Sequence, residues 1–352
     1  AEKAVQIIES KYGEIYDCVD IQKQPALSHP LLKDHQVKMR PSESLERQLR
    51  TQIVNPSSFL EKHNLASVAL DEECPIGTVP IRRSPSIVKN SYKPYSISNN
   101  VMYPMNIFFA GITAQRIPTT DKYTGAGGWV TVYQPPAGPK EFSGAVVMVE
   151  SVAHNNEGTI QVGWMVNPDF HGDDRTHLFV AWSHHADGKY LGCYNLDCPG
   201  FVAVHNRIPI TGSFDNISVP GGNQIYTELR ITKDPASGDW WVTYYGTETK
   251  LGYFPKDLVP WLSNGGDMAA WGGIAHSQGA VSPPMGSGIF DTSKETFTAH
   301  FIQTNANTRG SFQSLGKEDD IGTLDTSCYR SGGNKLGRRG YTFLFGGPQC
   351  QS

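Results

Sequence analysis

Residues 144–152 read GAVVMVESV and residues 159–166 read TIQVGWMV, with the turn-forming stretch 153–158 between them. Two apolar runs rich in β-branched residues, separated by Asn and Gly, predict a β-hairpin. Comparable short runs recur at 106–110, 129–134, 177–183, 200–205, 224–231, 240–245, 268–275, 296–303 and 341–345. Turn residues punctuate the gaps, and no long amphipathic helical pattern interrupts the series. The expected fold class is all-β: a large two-sheet antiparallel β-sandwich, jelly-roll-like, over residues 96–352.

Residues 1–81 read differently. They are more charged and lack the aromatic strand pattern, and Ile7, Ile8, Leu45, Leu49 and Ile53 are spaced for one or two short helices. A small mixed segment is therefore expected ahead of the sandwich. Residues 82–95 open with Arg82-Arg83-Ser84-Pro85, a basic and proline-broken stretch expected to be extended and exposed. Arg82 and Arg83 are either part of an ordinary linker or a dibasic processing site.

The chain has 352 residues, with 36 Gly, 23 Pro and only 18% charged residues, which suits short strands joined by many turns. A net charge of −4 gives no reason to expect a nucleic-acid partner or an anionic membrane surface. No apolar run reaches the roughly 18 residues that a membrane-spanning helix needs. Six cysteines suggest three disulfides, and spacing favours Cys193–Cys198 and Cys328–Cys350, leaving Cys18 with Cys74. Disulfides point to an oxidising compartment, so a secreted, extracellular location is expected, with Ala1 at or after a signal-peptide cleavage point. Asn216-Ile217-Ser218 is the one sequon not blocked by proline, making Asn216 a candidate glycosylation site. No metal or cofactor is expected. Cys193 and Cys198 with His184 and His185 lack a second ligand pair for zinc, and Asp173-Asp174 lacks the spaced oxygen ligands of a calcium loop.

Longer strings carry a resemblance. Tyr16-Asp17-Cys18-Val19-Asp20-Ile21, His29-Pro30-Leu31-Leu32-Lys33 and Cys74-Pro75 stand in the first part of the chain. Gly163-Trp164, Gly192-Cys193-Tyr194-Asn195, Cys198-Pro199-Gly200-Phe201-Val202, Trp240-Trp241, Trp271-Gly272-Gly273 and Met285-Gly286-Ser287-Gly288 follow in the second. In this order they resemble the neprosin family, secreted plant glutamic endopeptidases. The resemblance implies an activation-peptide-like prosegment over 1–81, then a sandwich that binds peptides in a cleft on the concave face of one sheet. It also implies two catalytic glutamates, one activating water and the other stabilising the tetrahedral oxygen. Motif by motif they fall at Gln161 and Ile274, so both positions are substituted.

Strand parity tests whether another acid replaces them, because side chains alternate faces. Asp267 has the opposite parity to Ile274 and is expected to miss the cleft. Glu150 is the candidate substitute acid: if Val152 pairs with Thr159, Glu150 sits opposite Gln161, partly buried with a raised pKa. Trp164, Trp182 and Trp271 are candidate groove-lining residues for a peptide or glycan, although core packing is the commoner role of such rings. No Gly-x-Ser-x-Gly elbow offers a serine nucleophile.

Two functions follow as expectations. The first is a non-proteolytic, neprosin-like pseudoenzyme that binds a peptide or glycan, with plant defence, including insecticidal action, as the biological setting. The second is the zymogen of an acid-active glutamic-type prolyl endopeptidase with a modified site built on Glu150 and Gln161. In both, the prosegment is expected to pack over the cleft near Gln161 and Ile274.

Overall fold

The computed structural model describes residues 4–51, 64–83, 94–97, 107–115, 121–152, 156–244, 249–308, 310–316 and 319–351. Its N-terminal part is a small antiparallel sheet, β1 (Gln6–Glu9), β2 (Ile15–Asp20) and β3 (Thr78–Arg82), with a helix, α1 (Glu43–Thr51), between the second and third strands. Leu45 and Leu49 lie one turn apart on α1 and are both buried, as their spacing predicts. Ile7 and Ile8 are not helical. They alternate in β1, Ile7 exposed and Ile8 buried with Tyr16, Leu70 and the Cys18–Cys74 disulfide, because pairing with β2 satisfies a backbone too short for a capped helix. Ile53 lies outside the described residues.

The sandwich begins with β4 (Ile107–Gln115), β5 (Gly125–Thr131), β6 (Glu141–Ser151) and β7 (Glu157–Val166). Next come β8 (Thr176–Ala186), β9 (Lys189–Tyr194), β10 (Val202–Ala203), β11 (Tyr226–Lys233), β12 (Trp240–Tyr244) and β13 (Thr249–Phe254). The chain continues through β14 (Met268–Ser277), β15 (Val281–Ser282), β16 (Ala299–Asn307) and β17 (Phe312–Ser314). It ends with β18 (Asp320–Leu324), β19 (Arg330–Gly337), β20 (Gly340–Gly346) and β21 (Cys350–Gln351). Each expected run overlaps one of these strands. The strands form a seven-stranded sheet, β18-β4-β14-β6-β7-β8-β9, and a nine-stranded sheet, β10-β13-β12-β11-β5-β16-β20-β19 with β17 beside β16. All the strand pairings are antiparallel, so the two-sheet sandwich expected from the sequence is the observed fold.

Alternation divides the central strands between two apolar environments. Ala145, Val147 and Val149 on β6, Ile160, Val162 and Trp164 on β7, and Ala269, Trp271 and Ala275 on β14 face the space between the sheets. Val146 and Met148, Met165, Ala270 and Ile274 from the same strands belong to a second cluster on the outer face. Two indoles stitch the sheets together: Trp164 Nε1 donates to Thr131 O and Trp271 Nε1 to Gly127 O, each at 3.1 Å. Trp182, paired with Ile160, joins the same interior. Trp164, Trp182 and Trp271 therefore pack in the core and do not line a groove on the outer face, because their parity is opposite to that of Gln161 and Ile274.

The prosegment covers the sandwich mainly along the nine-stranded sheet. Gln24 extends the edge strand β10 reciprocally, its Oε1 accepting from Ala203 N at 2.8 Å while its Nε2 donates to Ala203 O at 3.1 Å. Ser42 is bound through N and Oγ by Asp234, at 2.7 and 2.6 Å. Lys38 pairs with Asp239 at 2.7 Å, and its backbone N–H donates to Tyr253 Oη. This cover explains Trp240 and Trp241, neighbours on opposite faces of β12 that are both fully buried. The Trp241 ring packs 4.7 Å from Tyr253, which the prosegment caps.

Replacing Trp271 by Ala removes both a buried ring and an inter-sheet hydrogen bond. The expected loss is about 3–5 kcal/mol, read from the urea midpoint of the full chain. A loss below about 1 kcal/mol would contradict the bridging role.

Candidate functional site

Strand β6 sits between β14 and β7, and its register places every candidate side chain. Glu150 pairs with Thr159 on one side and Met268 on the other, while Gln161 pairs with Met148. The hairpin is thus two residues out of the register expected for it, in which Glu150 and Gln161 were directly opposite. A two-residue shift preserves parity, so both side chains still project from the outer face, now as diagonal neighbours. Both residues are fully buried.

Ile274 shares that face but not that place. It pairs with Gly144 and Phe109, whereas the β14 residue level with Gln161 is Ala270. Four residues of strand separate the two levels, about 13 Å at the usual rise. Ile274 belongs to an apolar cluster with Phe109, Phe142, Val146 and Met165, and His276, two residues on, stacks on Phe142 at 5.2 Å. Asp267 points the other way, pairing with Lys122 and accepting from Val152 N at 3.0 Å. The parity argument holds for it.

Glu150 and Gln161 meet through a third segment, residues 94–97, which crosses the outer face. Gln161 Nε2 donates to Tyr95 O, and the Gln161 Oε1 atom is buried without a hydrogen-bond partner among the described residues. Glu150 accepts from Ser96 Oγ on one carboxylate oxygen and from Ile97 N, at 3.1 Å, on the other. Tyr190 Oη donates to Pro94 O. The Tyr95 ring stacks on Phe109 with centroids 6.0 Å apart and planes 18° from parallel. Burial, with the nearby Glu150 charge adding to it, pushes the Tyr95 phenol up to about 12. Nothing in the sequence singled out Tyr95, Ser96, Ile97 or Tyr190. The one available signal was the alternation of Tyr95-Ser96-Ile97 directly after a proline.

The segment expected as the prosegment, 1–81, divides its contacts between the two sheets. Among the described residues, 21–49 lie along the nine-stranded sheet, Glu14 reaches His177 at one end of the outer face, and 94–97 cross that face at Glu150 and Gln161. Apolar cover for the nine-stranded sheet is what the prosegment side chains supply, so its bulk goes there.

Arg82 and Arg83 also differ from an exposed linker. Arg82 ends β3 opposite Tyr16, and its side chain is only 10% exposed. Its guanidinium donates to His171 O at 2.7 Å and lies 3.3 Å from Asp173 and 3.6 Å from Glu14. Arg83 is more open and holds Asp17 through two hydrogen bonds, at 2.7 and 2.9 Å. His177 completes the cluster, with Nε2 2.7 Å from Asp173 Oδ1 and Nδ1 2.8 Å from Thr211 O. Glu14, Asp173 and His177 present ligand atoms within 4.8 Å of one another. The Arg82 guanidinium already supplies the cation between the two carboxylates. Ser213 Oγ lies 3.4 and 3.5 Å from the two ring nitrogens of His177 and donates to Glu14 at 2.6 Å, so it is not aligned as a nucleophile with its base.

His171, stacked 3.9 Å from His177, is held far below the usual histidine range by burial first and by the charges of His177 and Arg82 second. Burial alone would raise the Asp173 carboxyl. Its hydrogen bond to His177, the His177 charge, the Arg175 N–H and Arg82 outweigh that and hold it below the usual carboxylate range.

Cys193–Cys198 and Cys328–Cys350 are disulfides, as is Cys18–Cys74. His184 stacks on Trp261 at 4.1 Å and His185 contacts Glu157 at 3.2 Å. Asn216 is exposed.

Fold and site together define a two-sheet antiparallel β-sandwich protein with an N-terminal segment docked onto it. Residues 139–348 match the neprosin domain and residues 7–95 match the neprosin activation peptide, so the chain belongs to the neprosin family. Among solved structures it is similar to scytalido-glutamic peptidase with a peptide-based transition state analog (11% identity, 69% of this chain and 98% of that one, TM-score 0.36). It is also similar to SCP-B, a member of the eqolisin family of peptidases, in a complex with the tripeptide Ala-Ile-His (11% identity, 68% and 97% coverage, TM-score 0.33).

A group whose folded pKa lies below its unfolded value stabilises fully above the unfolded value, about 4 for Asp, and loses that contribution as pH falls through the lower folded one. Acid should therefore weaken the joint at Asp173. The urea midpoint of the full chain should fall as pH drops from about 5 to about 2.5, and Asp173→Asn should make the fall shallower while lowering the midpoint at pH 7. Equal slopes would exclude Asp173 from the acid response.

Proposed function

We propose that this neprosin-family chain is a latent peptide-binding protein that does not hydrolyse its ligand at the family's glutamate positions. The observation that carries this reading is the segment 94–97. A stretch of the chain, bound by backbone and side-chain hydrogen bonds, lies on the face where the resemblance puts peptide recognition. Ile274 has no proton to give or take and stands in an apolar cluster. Gln161 can orient a carbonyl but cannot accept a proton, and loss of one positioned acid or base typically costs about 10²–10⁴ in rate. Three disulfides fit an exported protein, and a defence role outside the cell accords with that setting.

A specific observation favours a second reading, a glutamic-type endopeptidase acting through Glu150 and Gln161. The Tyr95–Ser96 peptide bond is bracketed by the Gln161 amide on its carbonyl and by the Glu150 carboxylate on the residues that follow. A base must be free to take a proton from water, however, and both Glu150 oxygens are engaged by the segment itself. That engagement favours binding over turnover.

Incubating the full chain between about pH 3 and pH 5, the range in which carboxyl pairs titrate, and measuring its intact mass decides between them. The binding reading expects an uncut chain and no fragments from added proline-containing peptides. A cut between Tyr95 and Ser96 that Glu150→Gln abolishes would establish the peptidase reading instead.

A further inference from the structure

The residues of segment 94–97 divide into those read by their backbone and those read by their side chains. Pro94 O, Tyr95 O and Ile97 N are bound by Tyr190, Gln161 and Glu150, contacts that any extended peptide offers. Three side chains carry more information. The Tyr95 ring is stacked on Phe109, in the apolar cluster that also holds Ile274. Ile97 packs against the same cluster. Ser96, the residue between them, is buried, and its hydroxyl donates to Glu150 Oε1.

We propose that the ligand of this face is an extended peptide in which an aromatic residue, a serine or threonine and an aliphatic residue follow one another. The inference rests on the peptide-binding reading above and gives it a ligand class. Gln161 and Glu150 set the register by gripping the backbone on either side of the hydroxyl residue. Phe109 and its apolar neighbours select the aromatic ring, by area and by stacking geometry. Glu150 selects the hydroxyl, because a hydrogen bond to a carboxylate in a water-excluded place is among the stronger discriminating contacts. An acidic residue at the same place would bring two carboxyl groups together, and alanine would withdraw the donor. Substitution of the acid at the family position by Ile274 enlarges the apolar surface beside Phe109, which suits an aromatic ligand.

The test uses the full chain with Tyr95→Ala, Ser96→Ala and Ile97→Asp, so that its own segment no longer competes, and circular dichroism to confirm its fold. Binding of fluorescently labelled acetyl-Pro-Tyr-Ser-Ile-amide is followed by anisotropy at neutral pH. Changing Ser to Ala or Tyr to Ala in the peptide should each weaken binding by about tenfold or more, and Tyr to Phe by less than about threefold. Adding Glu150→Gln to the protein should shrink the Ser-to-Ala ratio to less than about threefold. The changes are made in the peptide, so misfolding of a protein variant cannot imitate the result. If the Ser-to-Ala and Tyr-to-Ala peptides bind within about twofold of the parent, or only unrelated library peptides bind, the pattern is wrong while the peptide-binding reading stands. If no peptide of any sequence binds, the peptide-binding reading itself falls.

Discussion

Strand β6 is hydrogen-bonded on both edges and buried on both faces, and the arrangement of the site depends on that double constraint. Its odd-numbered residues from Ala145 to Val149 fill the space between the sheets, and its even-numbered ones from Val146 to Glu150 build the outer face. A one-residue slip would push Val147 and Val149 out of the core and carry Glu150 into it, so hydrophobic burial holds the register. A carboxylate then emerges from an apolar strand at its last fully paired turn, where residues 96 and 97 satisfy it. Gln161 follows from the same register, two residues away on the neighbouring strand.

The outer face is accordingly a mixed surface. Its apolar part runs from Phe109 and Ile274 through Met148, and Glu150 and Gln161 form a polar corner of it. Hydrogen-bond donors and acceptors set in an apolar surface orient a ligand strongly, because water does not compete with them. The chain's own segment uses both parts. The separation of Ile274 from Gln161 along the strands also means that the two substituted positions contribute differently: one enlarges the apolar surface, and the other keeps a hydrogen-bonding amide.

Docking of the prosegment obeys a different balance. Gln24 prolongs an edge strand, Asp234 caps Ser42, and Tyr253 closes over Trp241. A nine-stranded sheet with apolar residues on both faces needs a cover, which the prosegment supplies. The joint around Glu14, Arg82, Asp173 and His177 adds buried charge at one end of that cover. Buried pairs of this kind bring specificity and pH sensitivity more than net stability.

Strand positions were legible in the sequence wherever a strand is buried on both faces, because such burial writes a continuous apolar run, as in 144–152, 159–166 and 268–275. The strands that escaped notice are mostly edge or polar ones. Lys189–Tyr194 and Arg330–Gly337 are largely exposed and carry no alternation, and the pairing that makes them strands belongs to their neighbours. Parity likewise settled that Asp267 misses the outer face and that Glu150 shares it with Gln161. The exact pairing of the hairpin, two residues from expectation, depends on a turn whose length the sequence does not reveal. Which sheet the prosegment covers, the burial of Arg82, the core position of the three tryptophans and the seat of Tyr95-Ser96-Ile97 were decided by tertiary structure alone. Each depends on contacts between residues far apart in the chain, and one-dimensional periodicity records which face a side chain takes but not what comes to lie against it.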